Sequence, residues 1–161
     1  MKKNKVSPRT LFIASDHAGI ELKQALQLKL GDLPWEDLGP YTDDRVDYPD
    51  YAAELSKKVV STSKRGPTMG ILICGSGIGM SISANKVQGI RAALVENPVA
   101  ARLSREHNDA NVLCLGARFL AHDYAAEIVE NWVSTPFSHD SRHRTRIQKI
   151  QKIEKNSKKK R

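Results

Sequence analysis

Short apolar runs alternate with longer amphipathic stretches along most of this chain. The apolar runs comprise residues 11–14, 34–38, 71–73, 90–95 and 112–115. Apolar residues recur at roughly helical spacing over residues 20–30, 48–63, 78–85, 98–109, 122–132 and 138–155. Short continuous apolar runs are typical of buried strands, so the alternation predicts a parallel five-stranded sheet with helices on both faces. The strand order expected for such a sheet is 2-1-3-4-5.

The third apolar run ends in an alternating series of glycines, Gly75, Gly77 and Gly79, with Cys74 before them and Ser76 between them. Alternating glycines let the backbone turn sharply with its N–H groups directed inward, which favours an anion. Two common phosphate loops are excluded, because a Walker A loop requires Gly-Lys-Ser/Thr and a dinucleotide fingerprint requires Gly-x-Gly-x-x-Gly. From the glycines alone, a purely structural turn is an equally good interpretation.

Asp16 and His17 follow the first apolar run, just as Cys74 and Ser76 follow the third. In open parallel sheets, ligands bind beyond the carboxyl ends of the strands, where the strand order reverses. For the expected order this point lies between the first and third strands. We therefore expect both pairs of residues to line one crevice.

The formal charge of +8 is concentrated at the two ends of the chain. Residues 142–161 contain ten lysine or arginine residues against one acid, and residues 1–9 contain four basic residues. The body between them is acidic. Basic ends of this kind are more often solvated tails than specific surfaces, so nucleic-acid binding is not expected.

The sequence contains neither an apolar run long enough to span a membrane nor an export signal. We therefore expect a soluble, cytoplasmic protein without membrane contact. Its two cysteines, Cys74 and Cys114, are expected to be free thiols. The sequence has neither a Cys-x-x-Cys motif nor a tight acidic cluster with glycine at loop spacing, so no metal site is expected.

Several short motifs together resemble the ribose-5-phosphate isomerase B family over about residues 11–150. They lie at residues 15–19, 47–49, 73–79, 84–86, 89–91, 104–108, 111–112 and 142–146. The resemblance implies a three-layer α/β/α sandwich with a Rossmann-like sheet, assembled as a homodimer or tetramer. It also implies interconversion of D-ribose 5-phosphate and D-ribulose 5-phosphate in the pentose phosphate pathway, without cofactor or metal. Allose-6-phosphate and galactose-6-phosphate isomerases are similar at the same positions, so both remain alternatives.

The resemblance also assigns chemical roles in this reaction, which moves a proton from C2 to C1 through an enediolate. Cys74 is the implied base, and a thiol near N–H groups at a helix start ionises more readily than a free thiol. Met80 stands where some family members carry a glutamate base, which places this chain in the cysteine-base branch. Ser76 would pass protons between O1 and O2, and the amides of the glycine turn would stabilise the enediolate oxygen.

Four further residues are implied to contact the substrate. His107 would open the sugar ring, and Asp16 would orient the hydroxyl groups. Asn108 would donate a hydrogen bond, and Tyr48 would form the wall of the site. Without the resemblance, these side chains fit a helix cap, a surface group or the core.

The phosphate requires cations, and His17 is one candidate. Arg142 and Arg146 share a helix face at i,i+4 spacing and could clamp a phosphate bidentately. The resemblance places both, together with Arg118, in the partner subunit's active site, so the site would be shared. The alternative for the arginines is a solvated basic helix, and the alternative for the whole chain is a noncatalytic module that binds sugar phosphates or RNA.

Three regions are expected along the chain: a polar N-terminal extension (1–9), a sugar-phosphate isomerase domain (10–150) and a basic C-terminal tail (151–161). The remaining histidines have no expected catalytic role; they are His122, His139 and His143.

Overall fold

The computed structural model describes residues 8–158. Its strands are β1 (Thr10–Ser15), β2 (Trp35–Asp37), β3 (Thr68–Cys74), β4 (Ala92–Leu94) and β5 (Val112–Gly116). Its α-helices are α1 (Ile20–Lys29), α2 (Tyr48–Thr62), α3 (Ile78–Ala84), α4 (Pro98–Asn108), α5 (His122–Ser134) and α6 (Ser141–Lys158). The predicted elements therefore exist, with shifted ends. Most of the predicted N-terminal extension, residues 1–7, and the end of the tail, residues 159–161, lie outside the described residues.

All strand pairs are parallel, and the order across the sheet is β2-β1-β3-β5-β4. The expected order 2-1-3-4-5 is therefore wrong at its end, where β5 lies inside and β4 forms the edge. Every residue of β5 is buried, whereas the residues of β4 are half-buried or exposed. An inner strand is buried on both faces, and β5 supplies the bulkier apolar side chains for this position (Val-Leu-Cys-Leu), whereas β4 is Ala-Ala-Leu. The reversal of strand order between β1 and β3 is unaffected.

Helices cover both faces of the sheet, which confirms the three-layer α/β/α sandwich. On one face, α1, α4 and α5 form a core that includes Leu26 and the fully buried Trp132. On the other face, α2 and α3 contribute Leu55 and Met80. Gly70 lets α2 approach closely, because a Cβ there would lie 2.5 Å from Leu55 Cδ2. Cys74 belongs to the core on this second face.

Helix α6 crosses the amino-terminal edge of the sheet. His143 and Ile147, one turn apart, are buried near its start. Near its other end, Glu154 Oε1 accepts a 2.7 Å hydrogen bond from the Gly89 N–H. The helix continues without a break through Ile150, the last residue of the predicted isomerase domain. The division into domain and tail stays a prediction. Within residues 8–158, no helix has the length and apolar character needed to cross a membrane.

A buried lysine fixes the segment between β2 and α2. Lys23 is 1% exposed. Its Nζ donates to Asp37 Oδ1 and to the Pro40 carbonyl oxygen, at 2.7 Å each. The lysine therefore ties α1 to the end of β2 and to the segment that follows it.

Candidate active site

Cys74 ends strand β3 and lies under the glycine turn. It is 4% exposed, and its Sγ accepts a 3.1 Å hydrogen bond from the Gly77 N–H. The next amide along the turn, that of Ile78, donates to Ser76 Oγ at 3.3 Å. Backbone N–H groups of the turn are thus directed at the thiol and the hydroxyl. This arrangement suits groups that handle protons and negative charge.

The three glycines of the turn make room for close neighbours. A Cβ on Gly75 would lie 2.9 Å from Arg118 Cζ, and a Cβ on Gly79 would lie 2.6 Å from Tyr48 Cζ. Gly77 has a φ of +74°, in the left-handed region that favours glycine. The glycines therefore have a steric role that sequence reasoning did not foresee, and they bring Arg118 and Tyr48 to the turn.

Asp16 and His17 adjoin the same turn, because β1 and β3 are paired. The Asp16 N–H donates to the Ile73 carbonyl oxygen at 3.0 Å. Asp16 Oδ1 also accepts from the Ala18 N–H at 2.9 Å, so its carboxylate caps the short helical turn that follows. His17 Nδ1 accepts a 3.4 Å hydrogen bond from the Val46 N–H. Asp16 therefore lies beside the end of β3, and the crevice expected there stays a prediction.

We call this set of side chains at the carboxyl ends of the strands the carboxyl-edge group. It comprises Asp16, His17, Tyr48, Cys74, Ser76 and Arg118. The resemblance had implied that Arg118 acts in the partner's site, but the structure places its guanidinium over Gly75 of its own chain. The reason is local, since the Arg118 N–H donates to the Gly75 carbonyl oxygen at 3.0 Å and fixes the residue there.

His107 and Asn108 lie at the opposite edge of the sheet. Helix α4 runs back from the carboxyl end of β4 to the start of β5, and both residues are in its last turn. Cys74 pairs with Gly116 at the far end of β5. At about 3.3 Å per residue, the length of β5 alone separates the two edges by about 13 Å. Within one chain, His107 and Cys74 therefore lie at opposite ends of the strands.

The start of α6 lies beside His107. The ring of His143 lies 4.3 Å from that of His107, measured between centroids. Arg142 and Arg146 flank His143 and are exposed, with the Arg142 side chain 67% accessible. We call His107, Asn108, Arg142 and Arg146 the amino-edge group. The contact of His143 with this group was missed, because nothing in the sequence spacing links two histidines that lie on different helices.

The second cysteine has a different environment. Cys114 is fully buried in β5, and burial, with a smaller contribution from Cys74, raises the pKa of its thiol far above the usual range. It remains a protonated core side chain, as the sequence suggested. Within residues 8–158, no three or more His, Cys, Asp or Glu side chains form a group that could hold a metal ion. That the protein works without a metal stays a prediction.

A parallel three-layer fold with a thiol, a carboxylate and a hydroxyl at the strand-order reversal defines an α/β protein with an enzyme-like site. The family model described as "Ribose/Galactose Isomerase" matches residues 11–150. The chain belongs to this family.

Individual relatives cover almost the same part of the chain. Ribose-5-phosphate isomerase B of Escherichia coli is 40% identical, over 91% of this chain and 97% of its own length. The ribose-5-phosphate isomerase B structure from Clostridium thermocellum superposes with a TM-score of 0.86 at 44% identity, covering 92% of this chain and 99% of that one. The type B enzyme of Trypanosoma brucei gives a TM-score of 0.85 at 40% identity, covering 91% and 99%.

Proposed function

We propose that this protein is an aldose–ketose isomerase that interconverts D-ribose 5-phosphate and D-ribulose 5-phosphate in the pentose phosphate pathway. The observation that carries the proposal is the position of Cys74. It ends the central strand, and its Sγ accepts a hydrogen bond from the Gly77 N–H. Membership of the family, and similarity to proteins named ribose-5-phosphate isomerase B, support this reaction and this substrate.

In the proposed reaction, the Cys74 thiolate removes the proton from C2 of the open-chain aldose and returns it to C1. Turn amides stabilise the enediolate oxygen, and deletion of one such donor in other enzymes costs roughly 3–4 kcal/mol. Ser76 moves the hydroxyl proton between O1 and O2. Asp16 uses one oxygen as a cap and has the second for a substrate hydroxyl, so the two roles are compatible.

We further propose that the active site is shared between two subunits of a homodimer. The carboxyl-edge group holds the base, whereas the amino-edge group holds the ring-opening His107 and two phosphate-binding arginines. A second copy that presents its amino edge to this crevice completes the site. Exposed apolar side chains near the glycine turn support such an interface. They are Ile78 (52% exposed), Ile82 (57%), Leu94 (36%) and Phe119 (63%).

Mixed dimers test the sharing of the site. Cys74→Ala and His107→Asn chains, each inactive alone, are co-expressed with different tags and the mixed species is measured. With one complete site of two, the purified mixed dimer shows about half of the wild-type activity per dimer. The control pair, Cys74→Ala with Ser76→Ala, has both changes in the carboxyl-edge group and restores none. If the first pair also restores none, the site is not shared.

The sugar specificity has a second candidate, because the family description names galactose as well as ribose. A panel of ribose 5-phosphate, allose 6-phosphate and galactose 6-phosphate, assayed with chelator-treated protein, separates the candidates. We expect the highest kcat/KM with ribose 5-phosphate. A higher kcat/KM with a six-carbon phosphate would make the protein an allose-6-phosphate or galactose-6-phosphate isomerase. If no sugar phosphate is turned over, the protein is a noncatalytic binding module. We place the protein in the cytoplasm, which its two free cysteines support.

A further inference from the structure

The start of helix α6 holds a buried histidine against His107. His143 is 2% exposed, and the two imidazole rings lie 4.3 Å apart between centroids with a 37° angle between their planes. His107 itself is half-buried. One face of the His107 ring is thus covered by a side chain from another helix.

His143 is held in turn by the segment that precedes α6. Its Nδ1 lies 2.7 Å from Ser138 Oγ, within hydrogen-bond distance. The Ser138 N–H donates to the carbonyl oxygen of Glu106, the residue just before His107, at 3.1 Å. The His143 N–H donates to the Asp140 carbonyl oxygen at 3.0 Å. The two histidines and Ser138 therefore form a closed set of contacts between the end of α4 and the start of α6.

The groups around His143 disfavour its charged form. Burial lowers the pKa of His143 most, and His107, Arg142 and Arg146 lower it further, against the opposing effect of Asp140. The Asp140 carboxylate is 3.9 Å from His143 Nδ1. Other titratable groups nearby are Glu106, which pairs with Arg102 on α4, and His139, which packs on Phe137. His143 therefore favours its neutral ring, which packs against His107 without adding a charge there.

We propose that His143 is a positioning residue that holds the His107 ring by stacking, in the orientation that sugar-ring opening requires. This inference rests on the proposed function, in which His107 opens the ring. His143 does not touch the substrate; it acts by fixing the orientation of His107.

Two substitutions separate stacking from mere filling of space. His143→Ala removes the ring, and misplacement of a catalytic group lowers kcat by about tenfold to 100-fold. His143→Phe retains an aromatic face against His107 and keeps kcat within about threefold of the wild type. The matched control is His139→Asn, since His139 lies outside the pair and its positive φ of 59° is tolerated by asparagine. We expect the control to keep wild-type kcat.

NMR spectra of ¹³C-labelled histidines give a readout that loss of stability alone does not produce. In the wild type, the ring current of the stacked His143 side chain displaces the signals of the His107 ring. His143→Phe retains a displacement of this kind, and folded His143→Ala loses it. Equal kcat losses in the Ala and Phe variants, or unchanged His107 signals in His143→Ala, would overturn the inference.

The outcomes also distinguish the inference from the proposed function. If His107→Asn loses activity and His143→Ala does not, the inference is wrong and the function stands. If the wild type turns over no sugar phosphate, the proposed function fails, and the ring-current displacement of the His107 signals alone then decides whether His143 holds the His107 ring.

Discussion

Asp109 ends helix α4 with its carboxylate between two arginines, and we expect Asp109→Asn to destabilise the fold. Its Oδ1 accepts from Arg105 Nη1 and its Oδ2 from Arg91 Nη2, at 2.8 Å each. Arg105 is 8% exposed, and burial lowers its pKa, so its charge depends on a partner. Buried charge-assisted hydrogen bonds contribute roughly 1.5–3 kcal/mol each. Because the Asp109 side chain is 36% exposed, we expect a total loss of about 2–3 kcal/mol.

The assay is urea unfolding at fixed protein concentration. Asparagine tolerates the positive φ of 46° at this position, so the substitution tests the charge and not the backbone. Glu106→Gln is the matched control, since Glu106 forms an i,i+4 pair with Arg102 at 2.7 Å on the same helix, with side chains 32% and 46% exposed. An exposed pair of this kind contributes about 0.5 kcal/mol or less. Equal losses in the two variants would refute the reasoning.

Three further predictions concern the framework of the site. Lys23→Met leaves the Asp37 carboxylate without its ion-pair partner and lowers the free energy of unfolding by about 2–4 kcal/mol in the same urea titration. Its control, Lys58→Met, removes an exposed ion pair at 3.3 Å and costs less than about 1 kcal/mol. Equal costs would show that burial of the Lys23 pair does not matter. Gly77→Ala lowers the free energy of unfolding by about 1–3 kcal/mol, because φ is positive there and the new Cβ would lie 2.9 Å from the Leu115 carbonyl carbon. The control, Gly31→Ala, is nearly neutral in thermal unfolding, because the atom nearest to its new Cβ is 3.8 Å away. Removal of residues 156–161 keeps turnover near the wild-type rate, because Glu154 and its bond to Gly89 remain; a large loss shows that the tail contributes to activity.

The elements, and the adjacency of Asp16 to the end of β3, are predictable from sequence because their signals are local. Apolar spacing marks each strand and helix, and the residue after a strand lies at its carboxyl end whatever the neighbours are. This is why Asp16 and Cys74 were placed together correctly. The same logic applied to α4 would have put His107 at the amino edge, since a helix between parallel strands ends where the next strand begins.

The remaining features depend on long-range packing. The exchange of β4 and β5 is decided by burial across the whole sheet, and because both strands have apolar sequences, periodicity alone does not order them. The close approach of Tyr48 to Gly79 and of Arg118 to Gly75 depends on how helices and loops meet over the turn. The contact of His107 with His143 joins segments with no shared periodicity.

In the proposed isomerisation, the Cys74 thiolate is the base and no metal takes part. Ribulose 5-phosphate formation from ribose 5-phosphate is measured with chelator-treated protein, with Cys74→Ala beside Cys114→Ala as the matched cysteine control. We predict that the wild type and the control are active without metal and that Cys74→Ala loses about 100-fold to 10,000-fold in kcat. Full activity in folded Cys74→Ala would contradict this role of Cys74, because another group would then have to take the C2 proton.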